Sequence, residues 1–138
     1  LTASRYGCGP EQCGACHVLI DGQSKPSCQL PVYALVGRSV VTLESAQNPE
    51  LPSTPYLKAL QAAFIDEQAA QCGYCTSGLL ISATALLMSA QVTVSDLQIR
   101  EALEPHLCRC GTHNRVLRAV KKAALQGGLK LTPSEVSA

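Results

Sequence analysis

Tryptophan is absent from these 138 residues, and phenylalanine and methionine occur once each. Aromatic side chains make up 4% of the chain. An excess of charge of one sign is missing too: eleven Lys and Arg face ten Asp and Glu, a formal net charge of +1. Such a balance gives no basis for a nucleic-acid surface. No apolar run approaches the ~18 residues that a bilayer span needs. No secretory signal is visible, and Leu1 is not an initiator methionine, so the native N-terminus is expected upstream. The length suits one domain or two small ones.

What the chain does have is cysteine. Its eight cysteines fall into two sets of four with none left over. Cys8, Cys13, Cys16 and Cys28 are spaced C-x4-C-x2-C-x11-C, and Cys72, Cys75, Cys108 and Cys110 are spaced C-x2-C-x32-C-x-C. A [2Fe-2S] cluster takes four thiolates, and C-x4-C-x2-C followed by a distant cysteine is plant-type ferredoxin spacing. The economical reading is two [2Fe-2S] clusters and an electron relay. Disulfides are the first alternative, but disulfide-dense scaffolds are short, loop-rich and secreted, and this chain has long apolar helical stretches. The glycines point the same way. Gly7, Gly9 and Gly14 crowd the first set, and Gly73 and Gly111 flank the second, where they let backbone fold closely around a cluster. Zinc is the stronger rival for the second set, since C-x2-C with a distant pair is common in zinc sites. A Rieske centre replaces two cysteines by histidines on one iron, and here each set is already complete.

The pattern divides the chain in the middle. Residues 1–43 read as strand and loop. Val18 and Ile20 alternate before a tight Asp21-Gly22 turn, Pro26 marks a short or edge return strand, and Arg38 to Leu43 is β-rich. Residues 44–54, with Pro49 and Pro52, read as a linker. From 55 to 128 the period is helical. Thr54 is expected to cap a first helix that starts at Pro55 and aligns Leu57, Leu60 and Phe64. A second helix follows Cys75 and carries Leu79, Ala83, Leu86 and Leu87. Ser95 and Gln98 form a capping box for a third, which Pro105 ends. A fourth carries Val116, Leu117, Val120 and Ala124 and stops at Gly127-Gly128. Residues 129–138 read as a polar tail. Four helices in two hairpins would each present one cysteine pair from a loop, and two such loops make one four-thiolate site.

The segments YGCGPEQCGACHVLIDG, QCGYCTSG and LCRCGTH, within a match that runs through nearly the whole chain, resemble the iron–sulfur subunit of the xanthine oxidase family of molybdenum hydroxylases. The resemblance implies an α+β architecture: an N-terminal β-grasp ferredoxin domain and a C-terminal four-helix [2Fe-2S] domain. It implies Cys8, Cys13, Cys16 and Cys28 as ligands of one cluster and Cys72, Cys75, Cys108 and Cys110 as ligands of the other. The second cluster then lies nearer a molybdopterin held by a separate large subunit, with Gln71 bonding the pterin and Cys110 on the electron path. The reaction implied is hydroxylation of a substrate carbon with oxygen from water, while this chain carries electrons onward and supplies no acid, base or nucleophile. Two departures stand out. Only seven residues precede Cys8, whereas the family has a longer segment forming the first strands and a helix of the β-grasp, so that segment is expected natively. Ser77 stands where the family often has proline, and serine still suits a helix start.

His17, His106 and His113 sit near cysteines, but with eight thiols sufficient they are expected as structural groups or donors. Arg109, between two of the cysteines, reads as a modulator of the cluster, a partner contact or a surface ion pair. Arg115, Arg118, Lys121 and Lys122 make the last helix basic, either as a solvated face or for docking. The segment CGTHNRVLRAV resembles small subunits of bacterial enzymes in which a cytochrome c, rather than a flavoprotein, accepts the electrons. Aldehyde dehydrogenase and N-heteroaromatic hydroxylase stay open as the activity, and so do the cytoplasmic and periplasmic faces of a membrane-associated complex. A free-standing ferredoxin and a zinc-stabilised interaction module are the other function classes.

Overall fold

The computed structural model describes residues 1–133; the end of the expected tail, residues 134–138, lies outside the described residues. Among them lie four helices and two small sheets. In the first sheet Val18–Ile20 (β1) is central, antiparallel to both Gln23–Lys25 (β2) and Val40–Val41 (β3). The turn between β1 and β2 has positive φ at Asp21 (50°) and Gly22 (81°), which matches the twist of a two-residue hairpin. It is clamped from the β3 side: the Asp21 carboxylate accepts from Arg38 Nε at 2.7 Å and from the Ser39 amide at 2.9 Å. Val18, Leu19 and Ile20 are all buried, so β1 is covered on both faces.

The stretch from 44 to 54 is not extended. A 3-10 helix over Leu43–Gln47 buries Ala46 against Leu19, Leu57 and Ile81 in a small apolar cluster that joins β1 to the helices. It also sets the start of Thr54–Asp66 (α1). The sequence pattern makes Thr54 the cap of this helix. Instead its hydroxyl donates to the Ser45 and Asn48 carbonyls, and Ser53 takes the capping position without a side-chain bond. The loop's carbonyls need donors as much as the helix's amides need acceptors, and here the loop takes the hydroxyl.

Thr76–Ser89 (α2) is the central beam. Every residue from Ser77 to Thr84 is buried, because β1 and β2 cover one side and α1 and Asp96–Leu103 (α3) the other. A helix apolar all round is the signature of such a position. α3 starts at the expected capping box: Ser95 Oγ accepts the Gln98 amide at 3.1 Å, and Gln98 Oε1 accepts the Ser95 amide at 2.8 Å. His113–Gln126 (α4) packs Val116, Ala119, Val120, Ala123 and Ala124 inward against α1. Burying a valine or leucine in this way contributes about 1.5–3 kcal/mol.

Both α1 and α4 end in the same closure. Leu129 N–H bonds to Ala124 and Gly128 N–H to Leu125, just as Ala69 bonds to Phe64 and Gln68 to Ile65. This is a Schellman ending. Beyond it, Lys130–Thr132 (β5), read from sequence as part of a polar tail, pairs in parallel with Thr93–Ser95 (β4). Leu129 is buried in the main core. The pairing brings the chain end back to the loop ahead of α3, a long-range contact that a short polar run does not announce.

Candidate metal centre

All eight cysteines are free thiols, and they gather on the loops expected to carry them. Cys8, Cys13 and Cys16 lie on the turn-rich segment before β1, and Cys28 on the loop after β2. Cys75 is the N-cap of α2, with Cys72 just before it, while Cys108 and Cys110 lie between α3 and α4. Among the described residues no three His, Cys, Asp or Glu side chains close around one point as a single metal ion requires. Within each set the thiols lie near enough to perturb one another. Cys13 feels Cys8, and Cys28 feels Cys16 and then Cys8. In the second set the influence crosses between the loops: Cys72 feels Cys110 and Cys108, and Cys75 feels Cys108. Each set has one exposed member, Cys8 or Cys72, and one buried member, Cys16 or Cys75.

The electrostatics follow from backbone direction. The Gln12 amide donates to Cys8 Sγ at 3.1 Å and the Cys8 amide to Cys13 Sγ at 3.4 Å. The amide of Ala15, then that of Cys8, holds the Cys13 thiol below its ordinary range, and the Tyr74 amide does the same for Cys72. Burial pushes Cys75 up to about 12 and also raises Cys28. For Cys108 burial acts upward too, but hydrogen bonds from the Thr112 hydroxyl and amide outweigh it and bring the thiol to about 7. Amides aimed at sulfur stabilise thiolate, the form that ligates metal.

Gln71 is exposed and directly precedes Cys72; Cys110 is half-buried and Arg109 exposed beside it. His113 is exposed, at the start of α4. The other two histidines do something that spacing did not reveal. His17 and His106 are 6% and 3% exposed, their rings 4.7 Å apart and edge to face. A chain of hydrogen bonds joins them: His17 Nδ1 to Ser24 Oγ at 2.7 Å, Ser24 Oγ to Ser82 Oγ at 2.6 Å, and Ser82 Oγ to His106 Nε2 at 2.7 Å. Read from either end, the chain gives each hydroxyl one donor and one acceptor role. Burial, and then the neighbouring His17, depress His106 to about 4; burial, and then Lys25, depress His17. Both rings are neutral at pH 7. This seam fastens the segment of the first cysteine set to the helices that carry the second.

The basic side chains of α4 form ion pairs across the surface. Arg118 pairs with Glu67 at 3.0 Å, Lys122 with Asp66 at 3.1 Å and Lys121 with Asp96. Arg115 Nη1 donates to the Gln68 carbonyl at 3.4 Å. The row is a solvated face, and its surface pairs link α4 to the end of α1 and the start of α3.

Two sets of four thiols on loops fed by amides, the second framed by four helices, define a class: residues 42–121 match the [2Fe-2S] binding domain family. One of the subunits of nicotinate dehydrogenase from Pseudomonas putida is 48% identical over 124 residues, covering 90% of this chain and 75% of that protein. The alpha chain of isoquinoline 1-oxidoreductase from Brevundimonas diminuta is 42% identical, with 90% and 77% covered. The aldehyde oxidoreductase structure from Desulfovibrio desulfuricans superposes with a TM-score of 0.78 at 37% identity, over 93% of this chain and 14% of that one. The chain belongs to the iron–sulfur subunits of the xanthine oxidase family of molybdenum hydroxylases, and so to an oxidoreductase.

Proposed function

We propose that this chain carries electrons through two [2Fe-2S] clusters, from a molybdopterin centre in a large partner subunit to a further acceptor. The observation that carries the reading is the gathering of four free thiols on facing loops in each of two sets, with amides aimed at their sulfurs. A [2Fe-2S] cluster takes four cysteines. Cys8, Cys13, Cys16 and Cys28 would hold the first cluster, and Cys72, Cys75, Cys108 and Cys110 the second. When bound, the clusters supply one-electron chemistry.

The chain supplies position and field. The amides of Gln12 and Cys8 donate to cluster sulfurs, and such bonds tune the reduction potential. Residues 1–43 act as a plant-type ferredoxin domain of β-grasp type, with the buried β1 as a central strand, and residues 55–128 as the second cluster's domain. Gln71, exposed beside Cys72, would meet the pterin, and Cys110 would lead from it into the second cluster. The third partner is a cytochrome c or flavoprotein. Identity of 48% and 42% to proteins named for nicotinate and isoquinoline supports an N-heteroaromatic substrate over an aldehyde.

The test is low-temperature EPR on the dithionite-reduced complex, isolated through a tag on this chain. Two distinct [2Fe-2S] signals with a Mo(V) signal are expected. A colourless, EPR-silent sample with stoichiometric zinc would overturn the reading.

A further inference from the structure

Glycine in a helix is destabilising relative to alanine, yet α2 has Gly78 in its buried first turn. The reason lies across the seam. A Cβ on Gly78 would overlap the Gly14 carbonyl oxygen and reach 3.0 Å from both its carbon and His106 Nδ1. Gly14 is at φ +73°, where a Cβ would be strained and would stand 2.7 Å from the Pro105 carbonyl oxygen. Three segments thus meet at backbone contact: the loop of Cys13 and Cys16, the helix that follows Cys75, and the stretch leading into Cys108. Two hydrogen bonds cross beside this contact. The Leu107 amide donates to the Cys13 carbonyl at 3.1 Å, and the Tyr74 hydroxyl to the Tyr6 carbonyl at 2.7 Å.

We propose that Gly78 is the spacer of the relay: its missing side chain sets how closely the two cysteine sets approach, and so how fast an electron passes between them. This rests on the two-cluster reading above. A residue that breaks a local propensity rule marks a place where another demand prevails, and here that demand is the approach of Gly14. Tunnelling falls exponentially with separation, and magnetic coupling between two reduced clusters falls with its inverse cube. Alanine at position 78 improves the helix but forces the Gly14 loop outward until van der Waals contact is restored.

The experiment compares wild type and Gly78→Ala in the intact complex, fully reduced, by EPR and iron analysis. In the wild type the two signals should show mutual spin–spin splitting. In Gly78→Ala that splitting should narrow, with iron content and the g-values of each signal retained, which a purely structural role would not produce. Unchanged splitting at full iron content overturns the proposal, as does a wild type with two signals and no splitting. If alanine instead expels a cluster, it must be the one held by Cys8, Cys13, Cys16 and Cys28, since a loop yields before a packed helix. Loss of the other signal alone overturns the proposal. A wild type with only one [2Fe-2S] signal refutes the two-cluster reading itself.

Discussion

Replacing Ser82 with alanine tests the seam where it is most concentrated. Ser82 Oγ lies 2.6 Å from Ser24 Oγ, 2.7 Å from His106 Nε2 and 3.3 Å from His17 Nδ1. Alanine fills the same backbone and leaves almost no cavity, so the cost is polar. His106 is 3% exposed, so the change leaves its Nε2 unbonded away from water. Stranding a buried polar group costs about 1–3 kcal/mol, and losing the Ser24 bond adds about 1. The sum is about 2–4 kcal/mol, a large share of a domain's stability. Denaturant unfolding of the loaded protein under anaerobic conditions should show the midpoint falling with an unchanged slope. Ser89→Ala is the control. Ser89 is exposed and bonds only the Leu86 carbonyl of its own helix, so its change should stay within about 0.5 kcal/mol. A Ser82→Ala protein as stable as this control would refute the reasoning.

Two further outcomes are expected. Gln68 sits at φ +50° in the α1 ending, a conformation that strains any side chain; Gln68→Gly should stabilise by about 0.5–1 kcal/mol, seen as a raised Tm, whereas Gln68→Ala should not. Glu44 Oε1 accepts the amides of Ala3 at 2.9 Å and Thr2 at 2.7 Å, and these bonds, Ala3 first, hold its pKa at about 2 against an ordinary 4.5. The folded value lies below the unfolded one, so this contribution is fully present above pH 4.5 and fades as pH falls toward 2. Unfolding midpoints of wild type and Glu44→Gln should therefore differ at neutral pH and converge across that window.

The legible parts of this chain were those written in local chemistry. The Ser95–Gln98 box, the Asp21-Gly22 turn and the double-glycine stop after α4 need only a few neighbouring residues, and each formed as expected. The placing of the cysteines on loops was legible for a related reason, since those loops are punctuated by glycine. The approach of the two loops of the second set needed the fold: Cys72 and Cys75 both feel the cysteines of the loop between α3 and α4. The His17–Ser24–Ser82–His106 chain was hidden because its members lie beside β1, on β2, on α2 and on the loop after α3, with no common period. The serines of α2 read as ordinary small residues. Periodicity also failed at α2 itself: the expected stripe of Leu79, Ala83, Leu86 and Leu87 left Leu86 half-buried and missed Leu80 and Ile81, because this helix is covered on every side. The basic row on α4 is solvent-exposed, as a solvated face should be; its acidic partners across the surface were not legible, because sequence shows charges but not what stands opposite them.

The seam has a consequence for modularity. His17 and Ser24 come from the strand half of the chain, and Ser82 and His106 from the helical half. The Ser24–Ser82 bond joins the two pairs in a buried place, beside the contact of Leu19 with Leu57 and Ile81. A gene fragment encoding only the helices would keep the Ser82–His106 bond but bare that apolar seam to water, and the strand half would do the same. The two halves therefore cannot be traded separately between proteins as interchangeable cassettes; natural recombination and protein engineering alike must move them together, or rewrite those four residues first.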